Sequence, residues 1–384
     1  MPASPPPTAR PHWCSATSLT QWAGWLLLGI IVVIAALAAQ PPGALTIETG
    51  PIGGSYHRNA LGYQKALAAN GIELRLKPNP NSIEIIRNVG DPASDTDAGF
   101  IAQDVSTAHG SAIYQIGQIE LQPLFMFASA ELGRRSTLID LRGRRIVMPP
   151  SDSATSRAAL RVLQLYGITN ENSRFTFMPL DAAVAALQAG QFEAGVFMLA
   201  ADNPIIRTLM HDSSLFLVPT SEARAITKQL LFLRPVVLSR GTYNVADAIP
   251  PNNITLVAAQ VGVVVRQGLH PYLIYRLLDA MVEVHRGPTL VSEAGDFPAI
   301  AGAQLVVDPR AAEYYRAGIP WLYRTLPPWL ASIIDRYQLV LFGLALFGCV
   351  CLGIRYLIGC LCCLVGSVRA RQSAPEQAEA LPRA

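Results

Sequence analysis

Twice along this chain a short apolar run breaks into a polar loop of small residues, and the loop opens a helix. In LTIETGPIGGSY (Leu45 to Tyr56) the run stops at Gly50, Gly53 and Gly54 before a helical pattern begins near Tyr56. The same order returns in RRIVMPPSDSATSRAAL (Arg144 to Leu160). Further runs alternate around each: IELRLKP, a helix over Ser82 to Val89 and AGFIA in the first set, then FTFMPL, DAAVAALQAG and FEAGVFML in the second. This βαβαβ rhythm predicts two α/β lobes built on mostly parallel sheet. The apolar run Ile254 to Arg266, with the helix after His270-Pro271, predicts a chain that crosses to the second lobe and returns to finish the first.

Helix starts are where such lobes bind ligands, because strand ends, first-turn N–H groups and the positive end of the helix dipole meet there. The polar loops at those starts are Gly53-Gly54-Ser55-Tyr56, Asn79-Pro80-Asn81-Ser82, Gln103-Asp104 and Ser151-Asp152-Ser153-Ala154-Thr155. Each reads singly as a helix cap. Together they predict a cleft for a small polar anion, closed by movement of the lobes. A nucleotide is disfavoured: the glycine loop has neither the Gly-Lys-Ser/Thr ending of a phosphate loop nor the dinucleotide spacing.

Signals for catalysis are weak. No pair among the six histidines has a metal-ligand spacing, and no G-x-S-x-G is present. His57, beside the glycine loop, and Asp104 are the candidates an exported enzyme would use. The expectation is a binding protein without catalytic residues, metal or cofactor. A net charge of +3 with scattered basic residues leaves nucleic acid aside.

With 51% hydrophobic and 15% charged residues the chain predicts membrane segments. Trp22 to Ala39 is long enough to span a bilayer, and it also offers the Ala36-Leu37-Ala38 pattern of a signal-peptide cleavage site. A second segment from Tyr337 predicts one spanning helix, with Arg355 snorkelling and Arg369, Arg371 and Arg383 on the cytoplasmic side. All six cysteines lie in or beside these ends. Cys349-x-Cys351 and Cys360-x-Cys362-Cys363 lack zinc spacing, and the region between the ends must be held by its core alone.

The expected organisation is a cytoplasmic tail (1–21), a transmembrane helix or signal peptide (22–39), lobe I (45–130, returning at 253–313) and lobe II (131–252). A juxtamembrane connector (314–336), a transmembrane helix (337–358) and a membrane-proximal cytoplasmic tail (359–384) follow.

TGPIGGSY, GIELRLKPNPNSIEIIRNV, DAGFIAQD and AAVAALQAGQFEAGVFMLAADNPIIRTL together resemble the TAXI-type solute receptors of TRAP transporters. LHPYLIYRLLDAMVEVH, GDFP and YYRAGIPWLYRTLPPWLASIIDR, followed directly by an apolar helix, are similar to a membrane-anchored branch of that family. The resemblance covers about Leu45 to Leu346. It implies a type II periplasmic-binding-protein fold on the outer side of a bacterial inner membrane. It also implies a small carboxylate or amino acid as ligand and a membrane permease as partner. Carried over, the cleft would use Gly53, Gly54, Ser55 and Tyr56, then Ser82, and Ser153, Ala154 and Thr155 of the second lobe. This chain departs from the family pattern at Asn81, Ile85 and Ala102, with Gln103 one step late. The rival expectation is a tethered sensor or assembly scaffold with the same fold and a degenerate cleft.

Overall fold

The computed structural model describes residues 26–27, 29–30, 33–34, 36–38, 40–102, 113–133, 136–303 and 305–373. Two compact units are present, one of them Pro41–Trp321 and the other including Leu322–Ala384.

The first unit opens with β1 (Ala44–Thr49), α1 (Ser55–Ala68), β2 (Glu73–Pro78), α2 (Ser82–Gly90) and β3 (Ala98–Ala102). β1 lies between β2 and β3, parallel to both. The small and apolar β3 is buried throughout, as suits a strand covered on both faces. A long strand, β4 (Ile113–Ser129), then carries the chain across. The other half contains β5 (Arg145–Met148), α3 (Ala154–Leu165), β6 (Arg174–Phe177), α4 (Leu180–Gln188), β7 (Ala194–Met198), α5 (Pro204–His211), β8 (Leu215–Leu217), α6 (Ala223–Gln229) and β9 (Leu233–Leu238). β5 pairs in parallel with β6 and β7. β10 (Ile254–Arg266) brings the chain back, and α7 (Pro271–His285) and α8 (Pro309–Ala317) complete the unit. The strand order is β2-β1-β3-β10-β4-β7-β5-β6, so two α/β halves share one continuous run of strands. The α/β alternation in each half and the returning strand follow the order expected from the sequence.

The sheet is mixed rather than mostly parallel. β10 runs antiparallel to β3, β4 and β9, and β4 runs antiparallel to β7 and β8. The reason is topological: one strand leaves the first half and another returns, so the pair between them must oppose. β4 is also the element the apolar pattern did not reveal, because Gln115, Gln118, Glu120 and Gln122 interrupt it. All four are buried.

Local chemistry sets the helix starts. Asn81 caps α2 by accepting from the Ile83 and Glu84 amides at 3.0 and 3.1 Å, and the Ser153 hydroxyl caps α3 by accepting from the Ser156 amide at 3.2 Å. His270 caps α7, with Pro271 in the first turn where no N–H is needed. In the first half Phe100, fully buried, is stacked between Tyr56 and Tyr63, with ring centroids 5.6 and 5.7 Å away.

α9 (Trp321–Thr325) and α10 (Pro328–Ser373) follow. Among the described residues one helix, Pro328–Ile358, is long and apolar enough to cross a membrane. It is broken by non-helical angles at Tyr337. Half of the expected N-terminal span at Trp22 to Ala39 is described, with residues 26–27, 29–30, 33–34 and 36–38 helical, and the rest of that span lies outside the described residues. Tyr314, the first residue of the expected connector, lies in α8 and donates to Asp279 at 2.8 Å.

Candidate functional site

Three helix starts converge on one cavity of about 50 Å³ in the Pro41–Trp321 unit. α1 and α2 come from the first half of the sheet and α3 from the second. Gly54, Ser55 and Tyr56 line it from α1, Ser82 from α2, and Ser153, Ala154 and Thr155 from α3. Two other expected residues are not on its wall. Gly53 has a positive φ of 83° and is exposed, and its carbonyl accepts from Asn203 Nδ2 at 3.2 Å. Asn81 is turned away from the cavity by its capping bonds. Gln103 and Asp104 lie outside the described residues.

The first turn of a helix leaves N–H groups without intrahelical partners. In α1 the N-cap is Gly54, so no side chain satisfies them. A side chain at Gly54 would also approach the Pro51 carbonyl oxygen to 2.9 Å, which fixes glycine there. In α2 and α3 the caps take later amides of the turn, leaving those of Ser82, Ala154 and Thr155 nearest the cavity. The Ser82 hydroxyl is buried, with no hydrogen-bond partner among the described residues. Pro51, Pro80, Pro149 and Pro150 supply stiff apolar wall. No lysine, arginine or histidine is among the described residues that line the cavity. Its electrostatic attraction for an anion comes from backbone dipoles.

The Ser55 hydroxyl is engaged across the halves of the sheet. It accepts from the Ala200 amide at 2.8 Å and from Asn203 Nδ2 at 3.2 Å. Arg58 and Asp202 form an ion pair of 2.7 Å beside it. These contacts tie the start of α1 to the loop after β7. His57 does not line the cavity; its Nδ1 is 3.2 Å from Thr49 Oγ1.

Behind the wall runs a buried polar chain. Gln122, on the cavity wall, donates from Nε2 to Glu120 Oε1 at 2.6 Å, and Asn59 Nδ2 donates to the same oxygen at 3.1 Å. Burial raises the Glu120 carboxyl from its ordinary range to about 7, even though the Gln122 and Asn59 bonds pull it down; Asp202 pushes it up and Arg58 lowers it. Farther in, Tyr63 and His285 share a hydrogen bond of 2.8 Å. Burial, aided by the Arg58 charge, lowers His285 to about 4. Burial first, then the Glu120 and Tyr315 charges, raises Tyr63 well above its usual range. Gln122 and Glu120 escaped the sequence reading. Their signal was the alternation Glu120-Leu121-Gln122, which places the two polar groups on one side of a strand.

Among the described residues no group of three histidine, cysteine or acidic side chains is placed to hold a metal. Cys349 and Cys351 are exposed free thiols on α10.

No curated protein matches this sequence. Solved structures similar to it include a protein of Bordetella bronchiseptica RB50, 15% identical, with 77% of this chain and 98% of that one covered at a TM-score of 0.45. The periplasmic aliphatic sulphonate binding protein SsuA of Escherichia coli is 14% identical over 64% of this chain and 73% of its own, with a TM-score of 0.39. The amino acid ABC transporter substrate-binding protein AbpA of Streptococcus pneumoniae, bound to L-arginine, is 10% identical over 63% and 89%, also at 0.39. Residues 104–316, more than half of the 384-residue chain, match the NMT1-like family, and the chain belongs to that family.

Proposed function

We propose that this chain is a membrane-tethered solute-binding protein, held outside a bacterial inner membrane, whose two lobes close on a small carboxylate and deliver it to a membrane permease. The observation that carries this reading is the meeting of three helix starts, from both halves of the sheet, around a buried Ser82 hydroxyl with no hydrogen-bond partner among the described residues. In this reading 45–130 and 253–313 form lobe I, 131–252 form lobe II, and both termini lie in the cytoplasm unless the N-terminal segment is cleaved. The helix Pro328–Ile358 is the tether. Tethering keeps the receptor at high effective concentration beside a resident partner, as expected of a TAXI-type receptor for a TRAP permease. Gly54, Ser55, Tyr56, Ser82, Ser153, Ala154 and Thr155 form the binding surface.

The rival is a sensor or scaffold whose cleft no longer binds. It is favoured by the absence of any cationic side chain among the described lining residues. Thermal unfolding of the full chain in detergent, with and without a panel of small carboxylates, separates the two. A receptor gains about 2.7 kcal/mol from a ligand at a hundredfold excess over its dissociation constant. No stabilisation by any acid, in a chain that unfolds cooperatively, would contradict the receptor reading.

A further inference from the structure

We propose that the cleft selects a carboxylic acid of two to four carbons with an O–H or N–H donor on the carbon next to the carboxyl, which rests on the carboxylate reading above and narrows it. The selecting group is the side-chain carbonyl of Gln122, held toward the cavity by Glu120.

Gln122 lines the cavity yet is only 1% exposed, so its amide has little freedom. Its Nε2 donates to Glu120 Oε1, which also accepts from Asn59 Nδ2. A carboxylate accepts and cannot donate. When Glu120 takes up a proton, that proton goes to Oε2, because Oε1 already holds two N–H bonds. One of the two Gln122 N–H groups is therefore committed in both protonation states, which fixes the nitrogen toward Glu120, behind the cavity wall. Amide nitrogen and oxygen project to opposite sides of one carbon, so Oε1 is what Gln122 offers the ligand.

Elsewhere the wall has the opposite polarity. The helix starts of α2 and α3 and the Ser82 hydroxyl present N–H and O–H donors, which suit a carboxylate. A ligand that satisfies both parts of the wall carries its acid toward Ser82 and Thr155 and a donor toward β4. A 2-hydroxy or 2-amino acid does so. A 2-oxo acid sets an acceptor against the Gln122 oxygen and is disfavoured by repulsion as well as by the missing bond. Size agrees: at about 10–15 Å³ per water, a 50 Å³ cavity holds about three to five waters, or a ligand of roughly five to seven non-hydrogen atoms.

The test is calorimetric titration of the full chain in detergent with matched pairs: L-lactate and pyruvate, then 2-hydroxybutyrate and 2-oxobutyrate, with glycine, alanine, acetate and propionate alongside. The hydroxy member of each pair is expected to bind at least about tenfold more tightly, and Gln122→Met to reduce that preference to within about twofold. Equal or tighter binding of the oxo acids overturns donor selection while leaving the carboxylate reading standing. So does a preference that survives Gln122→Met. If that variant does not fold, the native chain's preference within each pair decides alone. Binding by none of the acids overturns the carboxylate reading, and donor selection falls with it.

Discussion

Glu120→Gln is expected to gain about 3 kcal/mol of stability relative to the native chain between pH 4 and pH 8. The sign follows from where protons bind. Glu120 titrates near 7 when folded, against 4.5 ordinarily, so between those values the folded chain holds a proton that the unfolded chain releases. Its contribution to stability is thus present at low pH and is lost as the pH rises toward 7. His285 works in the opposite direction. It titrates near 4 when folded, against 6.5, so its contribution is present above 6.5 and is lost as the pH falls toward 4. In the native chain the two slopes cancel between about 4.5 and 6.5, since each state then holds one of the two protons. Glutamine at position 120 keeps an acceptor oxygen for Asn59 and Gln122 but cannot titrate, which leaves the His285 slope exposed. Urea unfolding of both proteins across this range measures the difference directly. A stability difference that stays constant with pH would show that Glu120 is not held protonated in the folded protein.

Phe100→Ala is expected to cost about 3–5 kcal/mol, the range for removing a fully buried aromatic side chain. Phe100 is stacked face to face with Tyr56 and Tyr63, at interplanar angles of 11° and 21°. Its removal strips packing from Tyr56 on the cavity wall and from Tyr63 in the buried polar chain. Stability and ligand affinity should therefore fall together, whereas Phe100→Leu keeps most of the buried volume and costs less. Denaturant unfolding of the two variants checks this. A loss below about 1 kcal/mol in Phe100→Ala would mean that neighbouring side chains refill the space and that the ring does not brace the wall.

The local grammar of the sequence carried most of the fold. The runs around β1, β5 and β7 are apolar and short, and each is followed by a polar helix start, so periodicity alone placed them. β4 was not legible. Its seventeen residues carry buried glutamines and a glutamate at positions where a strand covered on both sides should be apolar, and partners such as Asn59 for Glu120 and Gln260 for Gln118 come from elements far away in the sequence. The mixed sheet followed from the same strand. The candidate cleft was legible as a set of helix starts, since caps and glycines are local features. Which residues faced the cavity was not, because that depends on which loops meet. Gly53 and Asn81 belong to the right loops but turn their polar groups elsewhere. Gln122 enters the wall from the middle of β4, and the prolines from the loops after β1, β2 and β5, whose sequences announce no binding role.

Titration of the full chain and of its Ser82→Trp variant with L-lactate and propionate tests the cleft most directly. One saturable site in the native chain, abolished in a variant that still unfolds cooperatively, is the predicted result, because the indole would fill the cavity that α1, α2 and α3 enclose. Unchanged affinity in Ser82→Trp would place binding elsewhere on the protein and contradict the assignment.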